Sequence, residues 1–234
     1  MGADTPEGSI LAVGTTESKT WHTQPMAAPV ARAHLALLAL FVAVLVWSGI
    51  RPHDYTTWAL EIFPSLVGIA VILATYRRFR LTTLAYTCVL LHTAILAAGG
   101  HWTYALNPWF EWVKEAFGLA RNHYDRLGHL AQGFFPALIA REIIARTSPL
   151  KRGRWLAFLV VCFCLAVSAC YEFVEWWTAL ILGQGADAFL GTQGDPWDTQ
   201  WDMFLALVGA TLAMLTMTRV QDRALARVAS QPPG

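Results

Sequence analysis

Six stretches of this sequence are apolar for long enough to cross a bilayer, and short polar links carry most of the charge between them. They cover residues 31–50, 58–76, 82–99, 125–145, 154–182 and 197–218. A spanning helix needs roughly 20 predominantly apolar residues to cross a hydrocarbon core about 30 Å thick. The runs are continuous and do not alternate as barrel strands do, so the pattern predicts helices. Between the third and fourth runs, Asn107-Pro108 is a helix-start signal, with Asn as N-cap and Pro at the first helical position. Trp109, Trp112, Val113, Ala116 and Ala120 then share one face. That segment is too short and too charged to span, and it predicts an interfacial helix, with a lid over the bundle as the alternative. The expected fold is all-α: a polytopic membrane helix bundle of about six transmembrane helices plus one short interfacial helix. Residues 1–30 lack periodicity and predict a disordered segment without the regions of a signal peptide. Met26, just before the first run, is a candidate start. Residues 31–220 form the transmembrane domain and 221–234 a tail.

Composition agrees. Of 234 residues, 56% are hydrophobic and 14% charged, against about a quarter charged in soluble domains. A net charge of +1 without a basic stripe gives no case for a nucleic-acid partner; the partner is the lipid bilayer. Cys88, Cys162, Cys164 and Cys170 all fall in apolar runs without metal-site spacing and are expected as small buried hydrophobes. Lys and Arg set orientation. Arg77, Arg78 and Arg80, then Arg141, Arg146, Lys151, Arg152 and Arg154, then Arg219, Arg223 and Arg227 all fall on one side of a six-span chain. That side is expected to be cytoplasmic, with both termini there, in a bacterial inner membrane.

Three runs carry acidic or acid–His pairs at helical spacing, and all lie at the opposite end. These are Asp125 with His129, Glu172 with Glu175, and Asp198 with Asp202. Glu172 lies about 27 Å along its run at 1.5 Å per residue, level with the starts of the fourth and sixth runs. His92, His101, Asp187 and Asp195 gather nearby as candidate substrate-positioning groups. Pro136 cannot donate to the Gln132 carbonyl, which frees that oxygen towards a cavity. So many acids in one volume require a divalent cation, protonation, or pairing with Arg121 or Arg126. The donor set without thiolate suits Mg, Mn, Ca or Fe. Asp125, His129, Glu172, Glu175, Asp198 and Asp202 are therefore candidate metal ligands or acid–base groups. In the plainer alternatives, Asp195-Pro196 opens the sixth helix, Asp125 caps the fourth, and Trp176, Trp177, Trp197 and Trp201 form an aromatic belt. Carboxylates inside a span, such as Glu172 and Glu175, are costly and mark function.

The stretches 99–104, 121–129, 132–142, 171–177 and 186–203 resemble the YjdF family of bacterial inner-membrane proteins over roughly the second to sixth runs. That resemblance implies a multi-pass inner-membrane protein and carries no activity with it. A weaker similarity, through Asp125, Arg126 and His129, is to VanZ-like membrane proteins, although Glu175 stands where those often have Gln. Three functions follow as expectations: a metal-dependent membrane enzyme acting on a lipid or lipid-linked head group, a proton- or cation-coupled carrier, or a non-catalytic assembly subunit.

Overall fold

The computed structural model describes residues 28–183 and 187–229, so the expectation of a disordered start falls, for residues 1–27, outside the described residues. The helices are α1 (Ala28–Ser48), α2 (Tyr55–Thr75), α3 (Thr83–Trp102), α4 (Pro108–Phe117), α5 (Tyr124–Thr147), α6 (Arg154–Leu182), α7 (Asp187–Leu190), α8 (Asp198–Thr216) and α9 (Thr218–Ala229). A 3₁₀ turn, Tyr104–Leu106, leads into α4. Ala28, Pro29 and Val30 are therefore the first turn of α1, inside the segment expected to be disordered.

Local chemistry sets these boundaries. Asp54 caps α2 by accepting from the Thr57 N–H at 2.6 Å, and Thr82 caps α3 through Ala85 N–H. Asn107 accepts from Trp109 N–H ahead of Pro108, as the sequence predicts. Gly118 closes α4 in the left-handed region at φ 62°, where glycine alone is unstrained. Trp109, Trp112 and Phe117 on α4 are exposed, while Phe110 packs on Tyr124. A helix with an outward aromatic face suits the membrane interface.

Among the described residues, four helices, α1, α2, α3 and α6, are long and apolar enough to cross a membrane, and α8 with α9 makes a fifth if that pair, bent by 62°, is one span. The remaining expected span, the fourth, is α5, which is long enough but too polar. Its position explains why. It packs along α8 and also against α3 and α6, so protein and not lipid surrounds its charged groups. By contrast α1 packs mainly on α3, reaches α2 through a Trp58–Ser48 hydrogen bond, and turns Leu35, Leu40 and Val46 outward. Trp176, Trp177, Trp197 and Trp201 are exposed, in keeping with an aromatic belt.

The α5–α8 seam is backbone-close. A Cβ at Gly133 would collide with the Ala206 carbonyl, and one at Gly209 with the Leu130 carbonyl. Ala137, Ala206, Ala210 and Ala213 continue the seam, fully buried. Small residues let van der Waals packing replace the hydrophobic effect where the solvent is itself apolar.

At the opposite end from the acidic pairs, several cations expected as surface anchors turn inward. Glu142, fully buried, accepts from Thr82 N–H at 2.8 Å, Thr82 Oγ1 at 2.6 Å and Arg146 Nη1 at 2.7 Å. Arg141 donates to Gln221 at 3.0 Å and Asp222 at 2.8 Å, and Gln221 donates back to the Leu138 carbonyl. These bonds dock α9, a helix the sequence pattern left as a tail. The cysteines divide: Cys88 and Cys164 are buried, but Cys162 and Cys170 are exposed on α6. That corrects the expectation for those two, because most of α6 faces outward.

A candidate acidic centre

Three helices bring the sequence-paired residues to one place. Asp125 and His129 come from the first turns of α5, Glu172 and Glu175 from the second half of α6, and Asp202 from the start of α8. His129 Nε2 is 3.5 Å from Asp125 Oδ1 and 3.8 Å from Asp202 Oδ1. One donor atom from each of Asp125, His129 and Asp202 falls within a 4.8 Å set, and so does one from each of His129, Glu172 and Glu175. His129 belongs to both sets and joins them. Asp125, His129, Glu172 and Asp202 are all buried. Asp125 Oδ2, Asp202 Oδ1 and His129 Nδ1 have no hydrogen-bond partner among the described residues. Both Glu172 oxygens also lack a well-formed bond, although the Thr199 side chain lies close. Buried carboxylate oxygens are seldom left so.

Other expected members are engaged elsewhere. Asp198 accepts from Arg121 Nη1 at 2.7 Å, and Asp195 from Arg126 at 2.9 Å and Arg121 at 3.3 Å. Arginine pairing therefore engages Asp198 and makes Asp195 a clasp, while the donor-atom sets around His129 contain Asp125, Asp202, Glu172 and Glu175. Asp195 also accepts from Trp197 N–H; α8 begins at Asp198, so Asp195 stands outside the cap position expected of it. Nor does Asp125 cap α5, whose N-cap residue is His123. His101 stacks on Trp47 and places Nδ1 3.0 Å from the Ser48 carbonyl, tying α3 to α1 away from the acids. His92 does reach the cavity beside the centre, with Nε2 buried and unpartnered. Asp187 opens α7, but its side chain lies outside what the structure describes.

The α6–α8 connection covers the centre. Gln193 accepts from Asn122 N–H at 3.0 Å and donates to the Asn122 carbonyl at 2.8 Å, and Arg121 donates to the Gly191 carbonyl. Gly191, at φ 63°, lies over the Asp125 carboxylate. Burial and the nearby Arg126 and Arg121 lower the pKa of His123 in the adjoining link, while Lys114 holds the exposed Glu111 below its ordinary value.

Beside the centre runs a cavity of about 430 Å³. Its acidic end is lined by Asp125, His129, Glu175, Gln132, Tyr104 and Glu61, so the Gln132–Pro136 turn does face a cavity. Tyr104 sits in a slot where a Cβ at Gly99 would strike its ring, with the Glu61 side chain close by. Burial, then Glu61, raises the Tyr104 pKa well above its ordinary value, so the phenol stays a donor. Glu61 was not singled out from sequence, nor was Tyr171, which also lines the cavity. For Glu61 the signal was present: it is a carboxylate inside an apolar run, the feature that marks Glu172 and Glu175.

Comparison with known proteins gives two matches. A family described as "Predicted membrane protein (DUF2238)" matches over residues 33–223. The Inner membrane protein YjdF of Escherichia coli (strain K12) is 50% identical over 184 residues, covering 79% of this chain and 88% of that protein. No solved structure matches.

Proposed function

This chain belongs to the DUF2238 family of membrane proteins, and within that family we propose that it is a divalent-cation-dependent membrane enzyme acting on a lipid or lipid-linked head group. The observation that carries this reading is the set of buried, unpartnered donor atoms on Asp125, His129 and Asp202. A scaffold would pair or neutralise such groups, because an isolated charge in a low-dielectric interior is costly. Two carboxylates and an imidazole, with Glu172 and Glu175 beyond them, suit Mn, Mg or Fe. Bound there, such an ion would polarise a phosphoryl or carbonyl oxygen or acidify a bound water. Glu175 and Glu61 face the same cavity and are the acid–base candidates, and the Tyr104 hydroxyl lies beside Glu61. The Gln193–Asn122 clasp keeps the connection closed over the centre.

Carrier function fits less well. Away from the acids the cavity is lined chiefly by Val71, Ile72, Phe79, Leu81, Ile139 and Ile143, and the two hydroxyls there, Thr75 and Tyr86, are engaged with the Val71 carbonyl and the Leu81 N–H. By the Lys/Arg distribution, the acidic centre faces the outer leaflet of an inner membrane and the termini face the cytoplasm.

Metal analysis of the purified full chain under chelator-free conditions tests the reading. Wild type should carry near-stoichiometric Mn, Mg or Fe, and Asp202→Asn little. Equal, negligible metal in both, with added Mn²⁺ failing to raise the melting temperature of wild type, would overturn it.

A further inference from the structure

The cavity is longer than an acid–base site requires. On α2 its lining runs from Glu61 to Thr75, about 21 Å at 1.5 Å per residue, against a hydrocarbon core about 30 Å thick. Its polarity is graded along that length, with acids, His92 and Tyr104 at one end and Ile139, Ile143 and Leu81 at the other. One of its walls is weak. α2 packs on α3 and touches α7, and makes no comparable contact with α5 or α6 among the described residues. A seam therefore separates α2 from α5 and α6, on the side away from α3. At Gly68, on the cavity wall, a Cβ would meet nothing within 4 Å.

We propose that this cavity seats one hydrocarbon chain of a membrane lipid, admitted sideways through the α2–α5 seam, with the chain's polar head at the acidic centre. Lipid is the solvent on that flank, so the occupant is already present at high local concentration. The volume is that of a pocket for one small molecule, which leaves a second chain outside in the bilayer. The graded lining matches an amphiphile end to end: apolar walls gain nothing from an ion or a sugar, and the acidic end gains nothing from a methyl terminus. The chain's seat stands on this geometry. The placing of its head rests on the functional reading above.

The test uses full-length protein in vesicles of phosphatidylethanolamine and phosphatidylglycerol doped with a phosphatidylglycerol bearing a diazirine in one acyl chain. A second preparation carries a diazirine-labelled polyprenyl phosphate instead. After irradiation, labelled residues are mapped by peptide mass spectrometry. Labelling is expected at Ser65 and Thr93, which line the cavity and are buried from the outer surface. It should fall at least tenfold in Gly68→Phe, whose ring fills open space. The preparation that labels them identifies the chain as acyl or prenyl. Labelling confined to outward residues such as Val67 and Leu73 in both preparations overturns the proposal. Mn²⁺ binding on the same samples separates the two ideas. Labelling without metal binding leaves the chain's seat and removes the enzyme; metal binding without labelling does the reverse.

Discussion

Thr82 gives Glu142 two hydrogen bonds, from its backbone N–H and from its hydroxyl, so a carboxylate on α5 satisfies the first turn of α3. The acid is fully buried and paired with Arg146. Glu142→Ala removes the acceptor from all three donors and is expected to cost about 3–5 kcal/mol. Glu142→Gln should cost less, since an amide oxygen still accepts from Thr82. Denaturant titration in detergent micelles checks the order; an alanine variant as stable as wild type would contradict it.

The α5–α8 seam predicts an unusual sensitivity to a single methyl group. Gly133→Ala and Gly209→Ala each drive a Cβ into a facing backbone carbonyl, and backbone cannot rotate away as a side chain can. Each is expected to cost about 3 kcal/mol, at the upper end for overpacking. Gly68→Ala, in open space, should be close to neutral. Melting temperatures of the three variants side by side give the comparison.

If the acidic centre is kept for metal binding and not for stability, amide replacement should stabilise the metal-free protein. Asp202→Asn removes one of the mutually repelling buried carboxylates around His129. With chelator present, the variant should melt above wild type, and with Mn²⁺ the order should reverse. Wild type ranking higher under both conditions would show the carboxylate to be structural.

Asp54 supplies a pH-dependent prediction. Its pKa lies below the ordinary 3.8, chiefly because its carboxylate accepts from the Thr57 backbone N–H. A depressed carboxylate pKa contributes stability that is fully present above the unfolded value and lost as pH falls through the folded one. Asp54→Ala should therefore cost about 1 kcal/mol of capping energy at neutral pH. The gap from wild type should narrow once the pH drops below 3.8. A gap independent of pH would mean that the cap is not the ionised form.

Much of this arrangement is legible in the sequence. Continuous apolar runs located α1, α2, α3 and α6 closely, and Asn107-Pro108 fixed the start of α4, because each is a local signal. The pairs Asp125/His129 and Glu172/Glu175 were legible too, since helical spacing alone puts them on one face. The engagement of Asp198 was not: Arg121 lies 77 residues away, and no local pattern reports which distant cation turns inward. The partners of His101 were hidden for the same reason, Trp47 and Ser48 lying on α1. α9 was missed because its apolar positions are sparse and Gln221 is buried by hydrogen bonds and not by hydrophobicity.

The enclosure of α5 bears on how the protein is made. An inserting helix pays about 2.5–3.5 kcal/mol for each charged residue near the bilayer centre and gains only about 0.3–0.6 from each Leu or Ile. With Asp125 and Arg126 in its first turn and Arg141, Glu142 and Arg146 in its last two turns, outside the centre where that cost is highest, α5 still gains less from lipid than its more apolar neighbours do. It acquires shelter only when α3 is already in place and α6 and α8 have been synthesised. The expected consequence is an ordered biogenesis, in which α5 settles once its neighbours are present and its glycine face closes late on α8.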